Sequence, residues 1–305
     1  MSKNLKKSLS ARISFYLATI FNRYPSILYL LKWFLITICI GACIGTASAG
    51  FLISLEWVTN FREEHIWLIA FLPIAGFVVG LLYYHYGRDI EGGNNLLIDT
   101  IHGKEEKIPF KMAPFVYLGT IITHFFGGSA GREGTALQMA GAIADQFTKV
   151  FQLSKEDRKT LIIAAVAAGF GSVFGTPLAG AIFALEFFFV RKLRYNALYP
   201  AFMAAIIADL VTRLWKATHT HYQIDFMPEI SFQNIIFAIG AGVLFGLCAA
   251  LFSKLMVLFS KQFKRHISYP PLRPFIGGVL VAIAVFALGS TRYIGLGIPS
   301  ILESF

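Results

Sequence analysis

Charge is scarce in this sequence. Only 14% of its 305 residues are Asp, Glu, Lys or Arg, while 56% are apolar; an ordinary soluble domain carries about 25% charged residues. That deficit excludes a free-standing soluble domain. Cysteine is scarce as well. Cys39, Cys43 and Cys248 lie in apolar stretches with no His or carboxylate at ligand spacing, so neither a disulfide frame nor a metal site is expected and the three read as packing residues. No P-loop, nucleotide signature or ordered Ser/His/Asp set occurs, so no enzyme and no cofactor is expected. Acidic residues are missing from positions 1–30, which carry Lys3, Lys6, Lys7, Arg12 and Arg23. A small-residue cleavage site is missing too, and Arg23 and Pro25 interrupt the first apolar run. Residues 1–30 therefore read as an amphipathic segment at a membrane surface, not as a signal peptide.

What is present is long apolar blocks. Trp33–Trp57 holds one ionisable residue, Glu56, and Ile66–Tyr84, Leu161–Val190, Ala197–Leu210, Phe232–Ser253 and Phe275–Ser290 are similar. A helix of about 20 apolar residues crosses a bilayer, so several blocks can span and the chain reads as an integral membrane protein in a lipid bilayer. The net charge of +10 does not point to nucleic acid, because its placement is one-sided. Lys261, Lys264, Arg265 and Arg273 make a second basic segment, whereas the connection 217–232 holds Asp225 and Glu229 and no Lys or Arg. The positive-inside rule then puts the N-terminus and the 261–273 loop in the cytoplasm, and the 59–65 and 217–232 loops outside.

A shift of 201 residues brings Gly41 onto Gly242, Gly45 onto Gly246, Phe51 onto Phe252 and the Pro73–Gly76 segment onto Pro274–Gly277. Small residues four apart let helices approach closely in lipid. The two stretches start from opposite sides by their charge, as in an inverted repeat. The expected organisation is an N-terminal segment 1–30, a first membrane repeat 31–216 and a partial second repeat 217–305, with the chain stopping in mid-repeat.

Three interruptions break the apolar pattern: Glu91–Leu96, Gly127–Thr135 and Gly171–Gly180. Non-helical backbone at membrane depth is tolerated only where protein buries it or it lines a cavity. Helix-competent runs follow at Leu96–His102, Ala136–Phe147 and Leu178–Val190, so each interruption delivers a helix N-terminus and its free N–H groups. Several such ends together make an anion site. For the last of them, glycines that merely permit a tight crossing are an equally good reading. The middle one carries Arg132 and Glu133, and an ionisable residue inside a membrane is a functional candidate. Glu133, in the first turn of its helix, can occupy an anion site or take a proton and leave it, serving as gate and proton carrier. Arg132 either pairs with an outer acid or anchors the loop.

Gly131-Arg-Glu-Gly134 resembles the Gly-Arg-Glu-Gly-Pro signature of the CLC family of voltage-gated chloride channels and chloride/proton antiporters, and the stretch Pro177–Glu186 resembles a second family motif. Glu91–Leu96 stands where the family has Gly-Ser-Gly-Ile-Pro. Order and spacing agree over about residues 30–305. The resemblance implies an all-α fold of multi-span membrane helices with broken half-helices. It also implies anion binding by Gly93, Asn94, Asn95, Gly131, Arg132, Gly134 and Thr135, gating and proton transfer by Glu133, a homodimer in the complete form, and a bacterial inner membrane. Asn94 replaces the coordinating serine, Thr135 the proline, and Phe187, preceded by Glu186, the inner proton-transfer glutamate. Those departures resemble the fluoride/proton antiporter subgroup; an amide is a strong donor for a small, strongly hydrated anion. The expected function is CLC-type anion transport, fluoride/proton antiport in the complete parent. The alternatives are a passive chloride channel of the same fold and a truncated, non-transporting remnant. Tyr293–Pro299 resembles the second repeat's partner of the Asn94 motif, and the chain lacks the family's later anion motif and pore tyrosine.

Other residues read more plainly. Glu56, Glu63 and Glu64 suit a solvated loop, and His124 a hydrogen-bonded packing histidine more than a proton relay. His219 and His221 have no acid at ligand spacing. Ser154 suits an N-cap, with Lys155–Lys159 as a solvated helix start.

Overall fold

The computed structural model of the chain describes residues 25–103, 107–187, 195–219 and 229–303. The segment 1–24 and most of the 217–232 connection, with His221 and Asp225, lie outside the described residues. Helices supply the regular structure: α1 (Pro25–Glu64), a 3-10 segment Ile66–Phe71, α2 (Leu72–Tyr86), a 3-10 turn Arg88–Ile90, α3 (Asn94–Ile101), α4 (Met112–Phe125), α5 (Arg132–Val150), α6 (Lys155–Phe174), α7 (Pro177–Phe187), α8 (Tyr195–Leu214), α9 (Phe232–His266), α10 (Leu272–Leu288) and α11 (Ile298–Leu302). Among the described residues, four stretches are long and apolar enough to cross a membrane: Ser26–Glu64, Ile66–Tyr86, Tyr195–Leu214 and Phe232–His266. Their outward faces carry Leu, Ile and Phe, as lipid-facing surfaces do.

Several expected bounds change. α1 runs on through 59–64, so Glu56, Glu63 and Glu64 stand exposed on its last turns and not in a loop. Over residues 161–187 this block is two helices, broken at Gly175 and Thr176, because α6 continues through Gly171 to Phe174. Gly180 lies against that continuation: a Cβ there would come 2.7 Å from the Gly171 nitrogen. The glycines at both ends of this third segment serve a tight crossing. The cysteines are free and exposed on their helices, facing outward instead of packing inside.

The chain divides into two compact units that interleave in sequence, one of Met1–Leu52, Gly92–Val116 and Arg132–Thr218, the other of Ile53–Glu91, Tyr117–Gly131 and His219–Phe305. In the first, α6 is central. Leu161, Ala164, Ala165 and Ala168 are fully buried and share a cluster with Trp33, Ile36, Ile40 and Ile44 of α1, Ala140 and Ala144 of α5, and Ala204 and Ala208 of α8. Alanine and glycine at these contacts bring backbones together, which is how helices associate where lipid offers no hydrophobic drive. Gly41 and Gly45 of α1 sit directly on Ile207 and Ala208 of α8. Thr212 Oγ1 closes that crossing by donating to the Gly45 carbonyl at 2.9 Å.

The start of α6 behaves differently from a solvated turn. Ser154 caps it, accepting from the Asp157 N–H at 3.1 Å. Arg158, however, turns inward and grips Asp145 of α5 in a two-pronged pair at 2.6 and 2.8 Å. The Ile108 N–H donates to the same carboxylate at 2.8 Å, fastening the segment before α4. In the second unit, the two proline-led helices related by the sequence shift pack on each other: Gly76 of α2 faces Pro274 of α10, and Gly278 faces Pro73. Gly242 and Gly246 of α9 meet nothing within 4 Å.

Asp145 is only 3% exposed and Arg158 15%. Asp145→Ala would leave a largely buried guanidinium and the Ile108 N–H without their acceptor, a loss of about 3–5 kcal/mol. A detergent-solubilised variant melting within a degree of the parent chain would show that this pair carries no such weight.

Candidate anion-binding site

The site is built from two helix starts in the first unit. α3 begins after Gly93, whose backbone (φ 57°, ψ −128°) belongs to a region only glycine visits freely, and no side chain caps the helix. The Asn95 and Leu96 N–H groups close back onto the Gly92 and Gly93 carbonyls at 3.1 Å. The result is a sharp turn that presents Asn94 at the first helical position. α5 begins at Arg132 and carries Glu133 in its first turn, where a negative charge is favoured by the helix dipole.

These two starts touch. Gln138, one turn into α5, donates from Nε2 to Asn94 Oδ1 at 3.1 Å. With its oxygen engaged as acceptor, Asn94 keeps the Nδ2 donors for another partner. That nitrogen lies 3.7 Å from the point a Cβ on Gly134 would occupy, and the Gly93 position lies 3.4 Å from Gln138 Nε2. Glycine at 134 thus leaves the Asn94 amide against bare α5 backbone. Farther along, fully buried Leu97 packs where a side chain at Gly141 would stand.

The expected site residues take different places. Gly93, Asn94 and Gly134 come together, with Glu133 adjoining them in the chain. The Glu133 side chain is exposed, and among the described residues its carboxylate makes no hydrogen bond. Thr135 is buried and Arg132 half-buried, its guanidinium 5.3 Å from the centroid of the Phe174 ring at the end of α6. That cation–π contact ties Arg132 to the end of α6. Asn95 is exposed, its N–H held by Gly92. Gly131 ends the loop that follows α4. Within that loop, Gly128 donates to the Thr123 carbonyl at 2.8 Å and Gly127 to His124 at 3.1 Å, a Schellman-type stop. His124, fully buried, donates from Nε2 to the Ala130 carbonyl at 2.8 Å, a packing and loop-closing position.

Gln138 was not singled out from the sequence. Its signal was a lone amide in an otherwise apolar helical turn, one turn after Gly134. From Phe174, rings follow one another: Phe174 and Phe170 tilted at 4.6 Å, Phe170 and Phe183 stacked at 4.5 Å, and Phe183 and Phe187 tilted at 5.1 Å. Glu186, beside Phe187, is exposed.

An all-helical integral membrane chain whose short helices begin against one another is the architecture of a channel or transporter with broken helices. Residues 75–305 match the family described as voltage gated chloride channel, and the chain belongs to that family, the CLC proteins. It is 48% identical over 283 residues to a chloride/fluoride channel protein of Pseudomonas syringae pv. tomato, covering 91% of this chain and 63% of that relative. The crystal structure of a CLC-type fluoride/proton antiporter superposes with a TM-score of 0.84 at 32% identity, over 89% of this chain and 69% of that one. A slow cyanobacterial Cl−/H+ antiporter shares the fold at 19% identity, with a TM-score of 0.73, over 83% of this chain and 63% of that one. The chain thus spans about two thirds of the length of these proteins. They are channels and antiporters, and the reading of the chain as no enzyme stands with them.

Gln138→Leu removes the donor that ties α3 to α5. The expected loss is about 0.5–1.5 kcal/mol, read as amide hydrogen exchange at residues 94–101 faster by roughly threefold to tenfold. Unchanged exchange would show that the bond adds nothing to the abutment.

Proposed function

We propose that this chain forms part of a CLC-type secondary transporter exchanging a small halide, fluoride in preference to chloride, for protons. The observation that carries the reading is the joining of Asn94, Gln138 and Gly134. Two helix N-termini and an amide with free donors surround one place, and an ionisable carboxylate stands in the adjoining turn. In this reading Asn94 Nδ2 and backbone groups around Gly93, Asn95, Gly131, Gly134 and Thr135 replace part of the anion's lost hydration. Arg132 holds the start of α5 in position. Deprotonated Glu133 competes with the anion for the place; protonated, it gives way. Fluoride is small and strongly hydrated, so it gains most from hydrogen-bond donors of amide strength.

The same reading takes the first repeat as 31–216, preceded by a surface segment 1–30, and 217–305 as part of a second. The N-terminus is cytoplasmic by the positive-inside rule, the bilayer is a bacterial inner membrane, and the full-length form is a homodimer. The relative from Pseudomonas syringae is described as a channel, which favours a second reading, passive anion flow through the same site. Proton coupling separates the two.

The test uses proteoliposomes of a full-length form carrying these residues. Glu133→Gln is expected to abolish proton movement driven by a fluoride gradient, with the signal falling to that of empty liposomes. Coupling that persists unchanged removes Glu133 from its role, and a parent that moves fluoride without protons supports the channel reading. Asn94→Ser replaces an amide donor by a hydroxyl. A hydrogen bond to a charged group contributes about 1.5–3 kcal/mol, so the ratio of fluoride to chloride efflux, followed with ion-selective electrodes, should fall by roughly tenfold or more. Equal efflux of both ions in the unmodified protein would refute the fluoride assignment.

A further inference from the structure

The second unit contains a buried cation that the site above does not use. Arg62 stands in the last turn of α1, its side chain only 6% exposed. One terminal nitrogen, Nη2, donates to Glu63 Oε1 at 3.2 Å, and Glu63 is itself 52% exposed. The other, Nη1, is fully buried and has no hydrogen-bond partner among the described residues. A positive charge at a helix C-terminus complements the helix dipole, but that role needs neither burial nor a closed-off nitrogen. A buried, unsatisfied N–H costs about 1–3 kcal/mol, and more on a charged group, so this one calls for an occupant.

The guanidinium faces the turn Tyr293–Gly297. A Cβ on Gly295 would lie 3.0 Å from Nη1, 3.7 Å from Nη2 and 3.8 Å from Cζ, so the loop backbone rests on the guanidinium where a larger residue could not. Gly295 (φ 71°) and Gly297 (φ 68°) are left-handed, and Leu296 between them is not. Left-handed residues in turns recur in the concave backbone arrangements that hold anions in other proteins. Ile294 fixes the turn by packing with Ile69, Ala282 and Val285.

We infer that Arg62 and the Gly295–Gly297 turn form a second anion site, for a monovalent halide. A single charge matches the single guanidinium, and with Nη1 shut off from solvent the ion must be small enough to enter without its water. The low local dielectric strengthens the pairing. The site shares no residue with Asn94, Gln138 or Glu133, so it stands or falls apart from the function proposed above.

The chain, purified in detergent micelles, is melted in potassium fluoride, chloride or gluconate at equal ionic strength and titrated calorimetrically with fluoride and chloride. Halide is expected to raise the midpoint above that in gluconate. In an Asn94→Ala background, which removes the amide of the site proposed above, Arg62→Gln should lose this increment, and Arg62→Lys, which keeps the charge without the fork, should weaken halide binding by about tenfold. Lys254→Gln, which removes a charge from the exposed face of α9, should leave the increment intact. If Arg62 is only structural, the midpoint of Arg62→Gln falls in gluconate while the halide increment stays, and the inference is overturned. It is equally overturned if the unmodified chain shows no halide increment. Should Arg62→Gln fail to fold, Gly295→Ala decides, because it sets a methyl 3.0 Å from Nη1: an unaltered increment there also overturns the site.

Discussion

The abutment of α3 on α5 is the contact on which the rest of the first unit depends. A helix start leaves N–H groups that nothing in its own turn can satisfy, and hydrocarbon supplies no acceptor. Bringing two starts together concentrates donors in one place, and the arrangement holds only if the backbones come close. A Cβ on Gly141 would collide with Leu97 at 2.3 Å, and one on Gly93 or Gly134 would come into contact with Gln138 or Asn94 at 3.4 and 3.7 Å. The side-chain bond from Gln138 to Asn94 across the contact also decides which face of the Asn94 amide stays available.

That contact would wander if α5 could tilt, and the fold restrains the helix at three levels. At its start, Arg132 lies over the Phe174 ring. Along its middle, Gly169 of α6 sits on Ala136 and Ala140 with no side chain between. Toward its end, Asp145 receives both prongs of Arg158 and the Ile108 N–H. α6 takes part in all three restraints, and its residues from Thr160 to Gly169 are buried without exception. A helix buried on every side in a membrane protein is built from small residues, and the Ala-Ala-Val-Ala-Ala-Gly run from Ala164 to Gly169 shows it.

Much of this was legible from residue order. Long apolar blocks against sparse charge gave the membrane class, and interruptions at Glu91–Leu96 and Gly127–Thr135 gave the helix starts nearly where they fall, since glycine clusters with polar neighbours cannot continue an apolar helix. The Ser154 cap was legible because capping is local. Features that depend on a distant partner were not. Arg158, in a run of five charged residues, looked like its solvated neighbours; only the fold brings Asp145 beneath it. Gly171 looked like part of a break because glycine both ends helices and permits close crossings, and sequence alone does not say which. Arg62 drew no notice beside Glu63 and Glu64, since burial at the end of a helix depends on a turn more than 200 residues away.

The file of rings from Phe174 bears on how protons travel. Phe174, Phe170, Phe183 and Phe187 follow one another along α6 and α7. In the resemblance to the family's chloride/proton antiporters, Phe187 stands in place of the inner proton-transfer glutamate. A phenyl ring neither accepts nor donates a proton. If Glu133 carries protons for exchange, it does not receive them through this file, and the exposed carboxylate of Glu186 does not extend it. In the exchange proposed above, the proton would then reach Glu133 where the side chain itself meets water. The carboxylate's position in the first turn of α5, with no hydrogen bond among the described residues to hold it, leaves the side chain free to move.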